Sequence, residues 1–93
     1  MISFVVPAYN EEKYLGPTLA AIHAAARAVG EPYEVIVAND DSSDATAEVA
    51  EAGGARVITV HKRQIAGTRN GLRAAVGAEL GEQVAYVRPD RVH

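Results

Sequence analysis

Short apolar runs alternate along this chain with stretches in which apolar residues recur every three or four positions. Ile2 to Val6 is an apolar run ended by Pro7, and it predicts a buried strand. Ala8 to Lys13 reads as a polar loop. Leu15, Leu19, Ile22, Ala26 and Val29 then follow at alternating spacings of four and three, one face of an amphipathic helix of about four turns. Gly30 and Pro32 mark its end.

Tyr33 to Ala38 predicts a second strand, built on the β-branched run Val35, Ile36 and Val37. Asn39 to Asp44 contains no apolar residue, and Ser43 or Asp44 can cap the helix that follows. Ala47, Val49 and Ala50 supply the apolar side of that helix, and Gly53 with Gly54 ends it. Arg56 to Val60 predicts a third strand, Ala66 to Val76 a third helix and Gln83 to Val87 a fourth strand, with Arg88 to His93 as a tail. The order β-α-β-α-β-α-β with short connections predicts an α/β fold: a three-layer sandwich around a mainly parallel sheet with right-handed crossovers.

Length confines this pattern to one domain of 93 residues, with a modest core. A net charge of −3 and nine scattered basic residues argue against a nucleic-acid surface. With no cysteine there is no disulfide, thiolate metal site or cysteine nucleophile. No stretch reaches the roughly 18 to 20 apolar residues of a membrane span, and Met1 leads into a strand without a basic region, against a signal peptide. A cytoplasmic location is expected, with peripheral membrane attachment through regions outside these residues as the variant.

In open parallel α/β sheets, ligands bind beyond the carboxyl ends of the strands. Candidate chemistry gathers at those points. After the first strand come Pro7, Ala8, Tyr9, Asn10, Glu11 and Glu12. The Tyr9 ring can stack on a planar base, and Glu11 can accept a hydrogen bond from a sugar or base. The alternative is a turn with acidic residues favoured at a helix N-terminus. After the second strand, Asp40 can accept from a pyrimidine N–H, whereas Ser43 and Asp44 read as a turn and a cap.

Lys62, Arg63, Arg69 and Arg73 form a basic segment. Arg69, near a helix start, suits a phosphate, while Arg73 suits a solvated face. Asp90, just past the fourth strand, offers a carboxylate to Mn²⁺ or Mg²⁺. His23, off the apolar stripe of its helix, is expected to face solvent. His61 ends the third strand, and His93 is terminal.

Four segments in order carry a family likeness: VVPAYNEEKYLGPTL, YEVIVANDDSSDAT, RQIAGTRNGLRAA and YVRPD. Together they resemble the N-terminal half of a GT-A fold glycosyltransferase of the family 2 type, over nearly the whole chain. The resemblance implies a Rossmann-like domain, residues 1–93, that binds a nucleotide diphosphate sugar, with UDP as the carrier, for transfer of the sugar to an acceptor hydroxyl. It implies that Pro7, Ala8, Tyr9 and Glu11 line the nucleoside pocket, that Asp40 matches the aspartate that recognises uracil, and that Arg69 lies near base and phosphates.

Asn39 stands where many members have an aspartate, and Asp41 where glycine is common. Asp90 matches the last aspartate of the family's metal motif, and Arg88 replaces the first. The acceptor half and the general base are expected outside these residues, as if the chain stopped before the acceptor domain, so no catalytic base is nominated. The rival expectations are a non-catalytic nucleotide-binding unit and a homodimer formed through an exposed strand edge.

Overall fold

The computed structural model describes residues 1–40, 43–60, 80–81 and 83–87, with Asp40 and Val60 described by their backbone alone. Among the described residues, four strands and two helices follow one another as β1 (Ile2–Ala8), α1 (Glu12–Val29), β2 (Tyr33–Asp40), α2 (Thr46–Ala52), β3 (Arg56–Val60) and β4 (Gln83–Tyr86). The expected third helix, Ala66 to Val76, lies outside the described residues.

All three strand pairs are parallel, and the strands stand in the order β3-β2-β1-β4. The chain steps outward from β1 to β2 to β3 and then returns to the far side of β1. The order therefore reverses beside β1, and such a switch point opens a crevice at the carboxyl ends of the strands.

Apolar side chains sort by strand parity, as the two-residue repeat of a strand requires. Val6, Ala8, Val35 and Val37 face one side and pack with Leu15, Leu19 and Ile22 of α1 and Ala50 of α2. Val5 and Ala38 face the other side, with Ile58, Leu80, Val84 and Tyr86 against them. Fully burying a leucine or valine contributes about 1.5–3 kcal/mol, so Leu15 and Leu19, at 0% and 1% exposure, anchor α1 to the sheet.

The predicted stripe of α1 is buried at Leu15, Leu19, Ile22 and Ala26, and Thr18 is buried with it, its hydroxyl donating to the Tyr14 carbonyl. Val29 departs from the stripe: it is 58% exposed, at the turn where Gly30 adopts φ 80° and its N–H returns to the Ala26 carbonyl. Glycine meets that left-handed conformation without a Cβ clash.

Three further expectations change. Pro7 lies inside β1 and does not end it. The Val87 N–H donates to the Val5 carbonyl, so Val5 and Pro7, two residues on, turn their backbone toward β4. The paired residues of β4 end at Tyr86, opposite Val5, so the missing N–H of Pro7 falls just past that ladder. β2 runs two residues further than predicted and includes Asn39 and Asp40. His23, expected in solvent, is half-buried and bonds to the Tyr33 hydroxyl and the Gly53 carbonyl.

At the amino end of the sheet a polar line crosses the strands. The Ser3 hydroxyl, fully buried, accepts the Gly81 N–H at 2.8 Å and donates to Glu34 at 2.6 Å. Glu34 in turn stands 3.6 Å from Arg56.

Candidate donor-binding site

The carboxyl end of the sheet holds Pro7, Ala8, Tyr9, Glu11 and the backbone of Asp40, five of the residues expected from the sequence. Ala8 and Asn39 are register partners, so the chain leaves β1 and β2 side by side. Asp40 is the last residue of β2 and pairs with Val60 of β3. Pro7 is half-buried beside Ala38, and Ala8 is 3% exposed. Tyr9 comes next and is 41% exposed. Asn39 is 8% exposed, between Ala8 and Thr59 in the sheet register.

The loop after Tyr9 turns sharply. Asn10 has φ 51°, a left-handed conformation that asparagine tolerates better than most residues. Glu11 is half-buried at the N-cap of α1, and its carbonyl accepts the N–H groups of Tyr14 and Leu15. No side chain of its own segment caps α1.

The partners come from the second loop. The Thr46 hydroxyl accepts the Glu11 N–H at 3.0 Å, and the Asp44 carboxylate accepts the Glu12 N–H at 3.3 Å. The Asp44 carboxylate also accepts the Thr46 N–H at 3.0 Å and the Thr46 hydroxyl proton. In the reverse direction, the Ser43 N–H donates to the Asn10 side-chain oxygen at 2.8 Å.

The N-cap of α2 is Ala45, with no side-chain cap hydrogen bond, so neither Ser43 nor Asp44 is the cap expected; Asp44, one residue earlier, accepts the Thr46 N–H instead. Burial is the largest influence on the Asp44 carboxyl and pushes its pKa up. The hydrogen bonds from the Thr46 hydroxyl, the Thr46 N–H, the Glu12 N–H and its own N–H outweigh that influence and hold it below the ordinary 3.8.

Thr46 and Asn10 were not singled out from the sequence. An asparagine directly after Pro-Ala-Tyr at a strand end was the available signal, since that residue type favours tight turns. Arg69 and Asp90, with Arg88, Asp41 and His61, lie outside the described residues. Among the described residues no group of three or more His, Asp or Glu side chains is gathered to hold a metal. No described helix is long and apolar enough to cross a membrane.

Known proteins share this fold. In sequence the chain is 31% identical over 93 residues to the undecaprenyl-phosphate 4-deoxy-4-formamido-L-arabinose transferase of Edwardsiella ictaluri (strain 93-146), covering 96% of this chain and 29% of that protein. The mannosyl-3-phosphoglycerate synthase of Rubrobacter xylanophilus superposes with a TM-score of 0.74 at 26% identity, over 97% of this chain and 30% of that one. The glucosyl-3-phosphoglycerate synthase of Mycobacterium tuberculosis, in complex with Mn²⁺, UDP and glucosyl-3-phosphoglycerate, superposes with a TM-score of 0.68 at 28% identity, over 96% of this chain and 33% of that one. The chain therefore spans about a third or less of the relatives it matches. The sequence profile of glycosyl transferase family 2 matches residues 3–87, and with its parallel GT-A sheet the chain belongs to that family.

Proposed function

We propose that residues 1–93 act as one donor-binding domain that holds a UDP-linked sugar for transfer to an acceptor. The observation that carries this reading is the side-by-side exit of the chain from β1 and β2, through Ala8 and Asn39, at the end of the sheet where the strand order reverses. Tyr9 stacks on the base, and the Asp40 carboxylate accepts the imide N–H of uracil. Pro7 and Ala8 form the floor, Glu11 takes a nucleoside hydroxyl, and Arg69 meets the diphosphate. The UDP bound by the mycobacterial relative supports the choice of nucleotide.

In the transfer, an acceptor oxygen bonds to the anomeric carbon as the bond from that carbon to the diphosphate breaks. The relatives include an undecaprenyl-phosphate transferase and a mannosyl-3-phosphoglycerate synthase, and the proposal for this chain extends to the donor alone. The base that takes the acceptor's proton is not assigned to any residue here.

A divalent cation, Mn²⁺ or Mg²⁺, belongs to the same reading. Its donor set would be the Asp90 carboxylate and diphosphate oxygens, hard ligands suited to either ion. When bound, the cation neutralises the leaving diphosphate. The Arg88 guanidinium stands where the family's first aspartate would, and supplies fixed positive charge for the same phosphates.

The test is a titration of UDP, with and without Mn²⁺, followed by amide chemical shifts. Shifts at Tyr9, Asp40 and Arg69 are expected, and none at UDP concentrations of about 1 mM would overturn the reading. A second reading, an α/β unit that dimerises through β4, draws on the place of β4 at the edge of the described sheet. A monomer in size-exclusion chromatography with light scattering counts against it.

A further inference from the structure

The two loops that flank the proposed nucleotide pocket hold each other. An ordinary helix cap satisfies the first N–H groups of its own helix. The polar side chains here are exchanged. The first two N–H groups at the start of α1, on Glu11 and Glu12, are taken by Thr46 and Asp44, which lie 35 and 32 residues further along the chain. The Ser43 N–H of the second loop is taken by Asn10 of the first. Thr46 is 0% exposed, so its hydroxyl has no solvent alternative.

Tyr9 and Glu11 flank Asn10, and Asp40 ends β2 three residues before Ser43. Resting on the donor-binding reading above, we propose that Asp44, Thr46 and Asn10 are positioning residues. They clamp the β1–α1 loop to the β2–α2 loop and so fix the spacing between the Tyr9–Glu11 wall and the Asp40 wall of the pocket. None of the three needs to touch the nucleotide. Their effect is on how much ordering the two walls must undergo when the nucleotide binds.

Purely structural caps would change stability alone, and the test separates the two roles. Thr46→Val keeps the shape of the side chain and removes the acceptor of the Glu11 N–H. Asp44→Asn keeps one acceptor oxygen and turns an amide NH₂ toward the Glu12 N–H. Asn10→Gly retains the left-handed backbone at an exposed position and removes the acceptor of the Ser43 N–H, so it keeps the test usable if a buried variant fails to fold. Thr46→Ser restores the hydroxyl. Tyr33→Phe, at the opposite end of the sheet, loses a hydrogen bond far from the pocket and serves as the reference for stability loss.

Each protein is titrated with UDP by amide chemical shifts and melted in parallel. Thr46→Val, Asp44→Asn and Asn10→Gly are expected to bind UDP about three- to tenfold more weakly, the effect of one or two hydrogen bonds. Thr46→Ser and Tyr33→Phe are expected to bind it as the unaltered protein does. UDP affinity that stays unchanged in the folded clamp variants, while the unaltered protein binds, overturns the clamp and leaves the donor reading standing. An unaltered protein that binds no UDP overturns the donor reading and the clamp with it.

Discussion

His23 of α1 and Tyr33 of β2 share a hydrogen bond of 2.7 Å between imidazole Nδ1 and the phenol hydroxyl. The other ring nitrogen stands 2.8 Å from the Gly53 carbonyl, which can only accept. Nε2 therefore carries a proton, and in the neutral ring Nδ1 accepts from Tyr33. One imidazole ties the middle of α1 to the first residue of β2 and to the turn after α2. The rings of His23 and Tyr33 also meet edge-on, with centroids 5.6 Å apart. Tyr33→Phe keeps the ring and loses the bond, so a destabilisation of about 0.5–1.5 kcal/mol is expected in urea denaturation. His23→Ala is expected to cost more, because it leaves both partners unsatisfied.

Gly81 sits against the first residue of the chain. A Cβ placed there would lie 2.0 Å from the Met1 carbonyl oxygen and 2.8 Å from its carbon, both backbone atoms that cannot rotate aside. Gly81→Ala must therefore displace the start of β1 or the approach to β4, and it endangers the bond from Gly81 to Ser3. A loss of about 1–3 kcal/mol is expected, read as a lower melting temperature. Amide shifts concentrated at Met1, Ser3 and Gly81 would locate the disturbance.

Asp44 links stability to acid. Its folded-state pKa lies below the 3.8 of the unfolded chain, so its contribution is fully present above 3.8 and is lost as pH falls through the folded value. The melting-temperature advantage of the unaltered protein over Asp44→Ala is therefore expected to hold constant near neutral pH and to shrink below pH 3.8. An advantage that persists undiminished under strong acid would show that the carboxylate charge has no part in it.

Recognition of the base rests on Asp40 in the proposed reading. Asp40→Asn exchanges an acceptor oxygen for a donor on one side of the group, and a loss of UDP affinity of about ten- to a hundredfold is expected, with reduced preference for UDP over CDP. Tyr9→Ala is expected to weaken UDP and CDP alike, since stacking is indifferent to the base edge. Isothermal titration with both nucleotides separates the two effects.

Arg88 and Asp90 can be tested as a pair. Asp90→Ala is expected to abolish any gain in UDP affinity that Mn²⁺ provides, while leaving metal-free binding intact. Arg88→Asp removes a cation and adds a carboxylate, so Mn²⁺ affinity in the presence of UDP is expected to rise about tenfold or more. Paramagnetic broadening by Mn²⁺ reads the site directly, without any transfer reaction.

Much of the scaffold was legible because burial writes itself into spacing. The runs at Ile2 and Val35 and the stripe from Leu15 to Ala26 needed no partner to be recognised, and Gly30 marked the end of α1 by its backbone freedom. The place of Asp40 at the end of a strand was legible for the same reason, as the first acid past an apolar run.

The bonds from His23 to Tyr33 and Gly53, and from Thr46 to Glu11, were not. Each joins residues 10 to 35 positions apart. Alternating strands and helices predict a parallel sheet, but not the order in which the strands stand. Until β2 is known to lie beside β1, nothing in the sequence sets Asn10 opposite Ser43. Val29 shows the converse. Its spacing fits the stripe, but the helix ends there and leaves it 58% exposed.

The return of β4 to the side of β1 also bears on the order of events in folding. β1, α1, β2, α2 and β3 each contact a neighbour close in sequence, whereas the bond from Gly81 to Ser3 closes a loop of 78 residues. Closing so long a segment costs chain entropy before any contact repays it. The β1–β2–β3 unit with its two helices can therefore assemble first, and on the ribosome before β4 is synthesised. The crevice beside β1 is then completed only when β4 docks. Until that moment the chain exposes the β4-facing edge of β1, a strand edge open to chaperones and to wrong partners alike.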